Sequence, residues 1–249
     1  MKKFAITTLC LVSLFVASCG KGESKTASNT TPAPTPTADE FLKKSADAML
    51  ATKSAKFGLK RLGKPAIFNE AMKLTFTKAT CEYKAPDRAH ATIQVGLANG
   101  NQMQLERIWV PEGIYQTNPV TKQYVKAPSD VTFNVVVLFQ ADGIPKVLRS
   151  GIQKAQIVGH EKLEDEDAVH FKGEADGKMV APLLADMIPA DKFYPIDIYT
   201  DPKTYYPRRL TMDVGDGDAF EIDLFGVDQP VDVKSPAAAA QPPAGAPAK

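Results

Sequence analysis

The hydrophobic period of the chain changes several times along its length. Between residues 39 and 53, Phe41, Leu42, Met49 and Leu50 share one helical stripe while Lys43, Lys44, Asp47 and Lys53 fall elsewhere, which predicts an amphipathic helix capped by Thr37 or Asp39. The period then drops to two. Phe57, Leu59 and Arg61 begin one strand, and Leu74 and Phe76 lie on one side of a second that runs toward Tyr83. Alternation predicts further strands over 89–97, 102–110, 113–117 and 123–126, with Asn99-Gly100 as a hairpin turn and further turns at Pro111-Glu112-Gly113 and Asn118-Pro119. From 131 to 151 the alternation disappears. Phe133, Val136, Val137, Leu138 and Phe139 cluster, Asp142-Gly143 interrupts, and Ile144, Val147, Leu148 and Ile152 recur at helical spacing, so two short apolar helices are expected. Strands resume over 155–163 and 168–174 around the acidic turn 164–167. A short helix is expected over 178–187 despite Pro182, followed by a three-stranded meander over 194–200, 207–214 and 219–227. Helices at the start and middle with strands elsewhere predict an α+β domain, its helices on one face of a mostly antiparallel sheet.

The two ends follow a different logic. Lys2 and Lys3 precede an apolar run over 4–16, about 13 residues against the ~20 needed to cross a bilayer, so residues 1–18 read as an export signal that is removed. Val16-Ala17-Ser18-Cys19 resembles the lipobox of bacterial lipoproteins. That resemblance implies acylation of Cys19, which becomes the new amino terminus and attaches the chain to a membrane through its acyl chains. The expected location is the cell membrane, facing periplasm or exterior; where the cell has two membranes the outer one is left open, since Gly20 stands where an Asp would signal inner-membrane retention. Residues 19–37 are rich in Ser, Thr, Lys, Gly and Pro and form an expected tether of roughly 24 Å average span. Residues 38–234 suit one domain with a sizeable core, and the Ala/Pro-rich stretch 235–249 reads as a disordered tail.

Charge and cysteine content narrow the function classes. The chain carries 30 basic and 29 acidic side chains, and removal of Lys2 and Lys3 leaves 28 to 29, so no field draws it to nucleic acid or to an anionic surface. Cys10 leaves with the signal and Cys19 is consumed by lipid. Cys81 alone remains, in an alternating segment that suits a buried, inert thiol, and no internal disulfide or cysteine metal site is expected. His160 and His170 flank a hairpin rather than sharing a helical face, and His90 stands alone in a strand, so a metal role is not expected. The stretch from Asp213 to Asp218 lacks the spacing and the terminal Glu of a calcium loop and reads as a hairpin turn. Neither a Gly-x-Ser-x-Gly elbow nor a phosphate-cradling glycine loop is present, so the expected class is non-enzymatic, without a cofactor.

What stands out is apolar surplus in the middle of the chain. The clusters around Phe133–139 and 144–152 either plug the sheet completely or cover a curved sheet without filling it. A dry cavity left in the second case suits acyl chains, at ~0.8 kcal/mol per buried methylene. Composition alone leaves both alternatives open.

The segments "MLATKSAKFGLK" (49–60), "GIYQTNPVTKQYVK" (113–126), "FQADGIPKVLRSGIQKAQIVGHEKLEDEDAVHFKGEAD" (139–176), "PIDIYTDPKTYYPRRLTMDV" (195–214) and "FGVDQPVDVKSP" (225–236) resemble the LppX/LprA/LprF/LprG lipoprotein family. The shared motifs are structural: an Asp-Gly-Ile helix start, a Val-Gly-x-Glu hairpin and an Asp-Pro turn after a strand. The resemblance implies an architecture similar to LolA and LolB, a strongly curved half-barrel with helices packed on its concave face around an apolar cavity. It further implies binding of an acylated lipid or glycolipid and its carriage within the cell envelope, with an envelope transporter or acceptor as a partner and a monomeric chain. The implied wall residues are Phe57, Leu59, Leu74, Phe76, Ile93 and Val95 on the sheet, with Trp109, Val136, Phe139, Ile144, Val147 and Leu148 closing the hollow. A one-residue error in a strand reverses its face, and a filled core would use the same positions. The contrasting class is therefore a non-transporting envelope lipoprotein that acts as a protein-interaction module.

Overall fold

A computed structural model describes residues 36–69, 73–128 and 133–236. The expected export signal, Cys19, most of the expected tether and the stretch beyond Pro236 lie outside the described residues.

The first helix, α1 (Ala38–Leu50), is started by Thr37 in a reciprocal capping box. The Glu40 amide donates to Thr37 Oγ1 at 3.3 Å and the Thr37 amide donates to Glu40 Oε2 at 2.9 Å. These bonds hold the Glu40 carboxyl below its usual range. Phe41, Leu42 and Met49 are buried as the stripe predicts, whereas Leu50 is exposed at the last turn.

Twelve strands follow, all antiparallel: β1 (Ser54–Leu62), β2 (Ala66–Asn69), β3 (Leu74–Lys84), β4 (Arg88–Gly96), β5 (Gln102–Val110), β6 (Gly113–Thr117), β7 (Tyr124–Lys126), β8 (Ile152–Leu163), β9 (Glu166–Asp176), β10 (Phe193–Thr200), β11 (Pro207–Gly215) and β12 (Asp218–Phe225). Their order is β7-β6-β5-β4-β3-β1-β12-β11-β10-β9-β8, with β2 added to β3. The sheet is open, with β7 and β8 at its ends. The join between its halves pairs β1 with β12, setting Phe57 opposite Leu224 and Leu59 opposite Ile222 across a long sequence separation.

Bulges re-aim several strands. In β3 the register shifts between Phe76 and Lys78, so the buried set passes from Phe76 to Ala79, Cys81 and Tyr83. Two shifts in β8, between Gln153 and Gln156 and between Ile157 and Gly159, increase the curl at that edge. Lys154 adopts a left-handed conformation there, φ 54°. The expected edges hold to within a few residues, but β2 was not foreseen, and β8 begins at Ile152 rather than at 155.

The helical segments are shorter and less regular than the sequence spacing predicts. Val135–Phe139 is a 3-10 helix, α2 is Ile144–Lys146, and Val147–Gly151 continues it as one π turn. The expected helix over 178–187 splits into α3 (Gly177–Val180) and a 3-10 turn, Pro182–Leu184, because Pro182 cannot supply the amide that would continue an α-helix. Gly143 explains the Asp-Gly-Ile motif. A Cβ there would stand 1.9 Å from the Val137 carbonyl oxygen, so only glycine lets the chain fold back against the 3-10 helix. The segment Phe133–Gly151 thus forms a compact plug on the face of the sheet that carries Phe57 and Phe76, with Phe57–Phe139 and Phe76–Phe133 ring centroids 5.2 and 6.3 Å apart.

Candidate functional site

All the anticipated wall residues except one converge on the inner face. Phe57, Leu59, Phe76, Ile93, Val95 and Trp109 lie on the sheet, and Val136, Phe139, Ile144, Val147 and Leu148 lie on the plug; every one is buried within a single hydrophobic cluster. Leu74 is the exception, half-buried at the start of β3 and paired across from Asn69 at the end of β2. Convergence is not the same as a hollow. Against the first half of the sheet, β1 to β7, rings fill the space: Tyr83 stacks on Phe139 at 4.3 Å, and Phe133 stands edge-on to Trp109 at 6.5 Å.

The apolar space that persists lies under the other half, β8 to β12. Ile196, Leu210, Met212, Phe220 and Ile222 form its floor. Leu138, Ile144 and Val147 of the plug cover it, and Val180, Leu183 and Leu184 from α3 and the following turn close its side. Its lining is almost wholly hydrocarbon, and its volume is about 50 Å³. Ordinary small-molecule sites measure about 300–1,000 Å³, so in this conformation the cavity is too small for an acyl chain. Of the anticipated wall, only Ile144 and Val147 touch it. The floor residues went unassigned in the sequence, although the alternation Leu210/Met212 and Phe220/Ile222/Leu224 carries their phase; nothing in one strand says which stretch of a curved sheet is left unfilled.

A larger hollow of about 680 Å³ opens at the strand ends near the α1 carboxyl terminus, between Thr52, Tyr206, Arg208, Arg209 and Asp223. Its lining is mixed and its charges are already paired. Arg208 meets Asp201 at 2.7 Å, and Arg209 donates from Nε to Asp223 at 2.5 Å, while Lys60 reaches the other Asp223 oxygen at 2.6 Å. Burial alone pushes the Asp223 carboxyl up, but the bonds from Lys60 and Arg209 outweigh it and hold it below its usual range. Burial pushes the Tyr206 hydroxyl up. This cleft suits water and polar groups rather than hydrocarbon.

The remaining chemistry is structural. Cys81 is buried and its thiol is pushed well up by desolvation, so little thiolate forms at neutral pH. His170 lies on the opposite face of the β8–β9 hairpin from His160, since His160 pairs with Val169 and His170 with Gly159. Its ring stacks on Tyr199 at 4.3 Å and lies between Glu161 at 2.7 Å and Asp197 at 2.5 Å. The segment from Asp213 to Asp218 is the β11–β12 turn, with Asp216 and Gly217 at φ 58° and 78°. Among the described residues no group of three His, Cys, Asp or Glu side chains is placed to hold a metal ion, and no helix is long and apolar enough to cross a membrane.

An open, curved, antiparallel sheet with a short helical plug on its inner face defines a half-barrel of the α+β class. The family model for the LppX_LprAFG lipoproteins matches residues 37–233, nearly the whole described body, and the chain belongs to that family. Among solved structures it is similar to LprF from Mycobacterium bovis, with a TM-score of 0.65 and 17% identity over 82% of this chain and 98% of that one. It is also similar to LppX from Mycobacterium tuberculosis, with a TM-score of 0.57 and 15% identity over 79% and 98%. At such identities the likeness speaks for the fold. A LolA superfamily protein from Nitrosomonas europaea matches at a TM-score of 0.28 and 11% identity, covering 77% and 92%, and carries no weight here. No curated protein matches the sequence.

Proposed function

We propose that this lipoprotein binds the hydrocarbon tails of a lipid or glycolipid between plug and sheet and carries it within the cell envelope. Cys19 holds the domain at the bilayer, and the tract behind it lets the body approach and leave. The observation that carries this is the position of the residual cavity: hydrocarbon-lined and bounded by separate short turns rather than by one long helix. Among the described residues no ladder hydrogen bonds tie the plug to the sheet, so outward displacement of Leu138, Ile144 and Val147 enlarges the cavity without breaking strand pairing. Net transfer then follows the difference in affinity between donor, carrier and acceptor.

The dense ring packing under β1 to β7 favours a second function, an interaction module whose core is full. One experiment separates the two. Native mass spectrometry of the protein purified from its own host is expected to show a mass increment that organic extraction removes as lipid. A bare polypeptide mass beyond the N-terminal modification, with no uptake of an apolar dye, would leave only the interaction module.

A further inference from the structure

Arg107 stands apart from its charged neighbours. It occupies the inner face of β5 between Leu105 and Trp109 and is 5% exposed. Arg61, Arg208 and Arg209 each meet a carboxylate, yet among the described residues Arg107 forms no ion pair within 4.0 Å. Its Nη2 donates to Gln116 Oε1 at 3.0 Å, and its Nε has no acceptor. Two residues on, Trp109 is 2% exposed, and its indole Nε1 also has no acceptor. The guanidinium carbon lies 5.9 Å from the centre of the Trp109 ring. Across the ladder, Arg107 and Trp109 face Ala91 and Ala89, which offer only methyl groups.

A buried cation without a counter-charge is costly, and so is each buried donor without an acceptor. Burial pulls the Arg107 guanidinium down to about 10, so it stays protonated at neutral pH. The cluster therefore presents a full positive charge and two idle donors, complementary to an anionic oxygen. The plug covers this region as well as the cavity, since Phe133 packs against Trp109 while Leu138 roofs the apolar space. From β5 to β12 is four strand spacings, about 19 Å at ~4.8 Å each, a distance that a long acyl chain spans.

We propose that Arg107 and Trp109, with Gln116 holding the guanidinium, seat the acidic group of a lipid, a phosphate or carboxylate, whose chains run beneath the plug toward the cavity floor. This rests on the carrier function proposed above.

Trp109 is the sole tryptophan, so energy transfer to a pyrene-labelled lipid reports on this seat directly. Full-length protein in detergent is titrated with pyrene-labelled phosphatidylglycerol or with pyrene-labelled diacylglycerol of identical chains, which has no anionic group. Phosphatidylglycerol is expected to bind roughly tenfold more tightly, the scale of hydrogen bonds to a charged group. Arg107→Gln should erase that preference while diacylglycerol binding stays unchanged, and Arg107→Lys should retain most of it. Should Arg107→Gln fail to fold, Trp109→Phe keeps the packing and removes one donor; scored by bound pyrene after gel filtration, its preference should fall about threefold. Equal binding of the two lipids by the unaltered protein, or a preference that survives loss of these donors, overturns the acidic seat and leaves the carrier intact. Uptake of neither lipid overturns the carrier and the seat together. A rise in thermal midpoint with inorganic phosphate alone, lost in Arg107→Gln, reassigns the seat to a free anion and overturns its lipid role.

Discussion

The two halves of the sheet solve the same packing problem differently. Under β1 to β7 the plug meets the sheet ring against ring, with Phe57, Phe76, Tyr83 and Trp109 opposed to Phe133 and Phe139. Under β8 to β12 one end is filled by Phe41 of α1 against Phe171 and Tyr205, at 5.0 and 4.7 Å, while the other meets the plug through Leu, Ile, Val and Met, with Phe220 as its single ring, and retains the cavity. Aromatic side chains fill a curved surface from a short helix because each reaches far from its backbone. Aliphatic ones on equally short turns do not reach, and the shortfall becomes a hollow. The fold of this chain therefore carries a densely packed half and a half that keeps a cavity.

That contrast can be broken by substitution. The largest effect is expected at Phe57, whose ring is fully buried against Phe139: Phe57→Ala should cost about 3–5 kcal/mol in urea unfolding. Met212→Ala, beside an existing cavity, should cost only about 2 kcal/mol, the low end of the range for such truncations. If the two losses are equal, the halves are equally packed and the contrast fails. Gly143→Ala places a methyl against the Val137 carbonyl and should cost about 3 kcal/mol, with loss of plug order visible as faster amide exchange over 135–151 and little change in β3 to β6. Val180→Leu fills part of the cavity; it should raise stability by about 0.8 kcal/mol and weaken uptake of an apolar dye, so unchanged dye binding would place the binding space elsewhere.

The smallest effect concerns the outer face near the join. Asp223 is held below its ordinary value of 3.8 in the folded protein by Lys60 and Arg209. The unfolded chain therefore takes up the proton first as pH falls, and the stability this residue contributes, present above about pH 3.8, is lost as pH drops through its lowered folded value. Because the partners are partly exposed, the loss should stay under about 1 kcal/mol, and Asp223→Asn should remove this part of the acid dependence of the unfolding midpoint.

Local pattern carried much of this structure. The alternation over 102–110 and 113–117 coincides with β5 and β6, Asn99-Gly100 turns between β4 and β5 with Gly100 at φ 82°, and Thr37 caps α1. The inward phase of Phe57, Phe76, Ile93 and Val95 was equally legible, because one face of each strand must leave water. Other features depended on partners far away in sequence. The strand pattern holds no sign that Ile222 would sit opposite Leu59, or that a bulge at Phe76 would hand the inner face of β3 to Cys81.

Sequence by itself determined which side chains go inside, since burial follows from periodicity and is settled within a few residues. Only the tertiary structure decided where inside becomes full and where it stays empty, and that Arg107, in phase with Trp109, would be buried with no carboxylate partner among the described residues. Volume and charge compensation are sums over elements brought together by folding, and no single stretch of chain contains either sum.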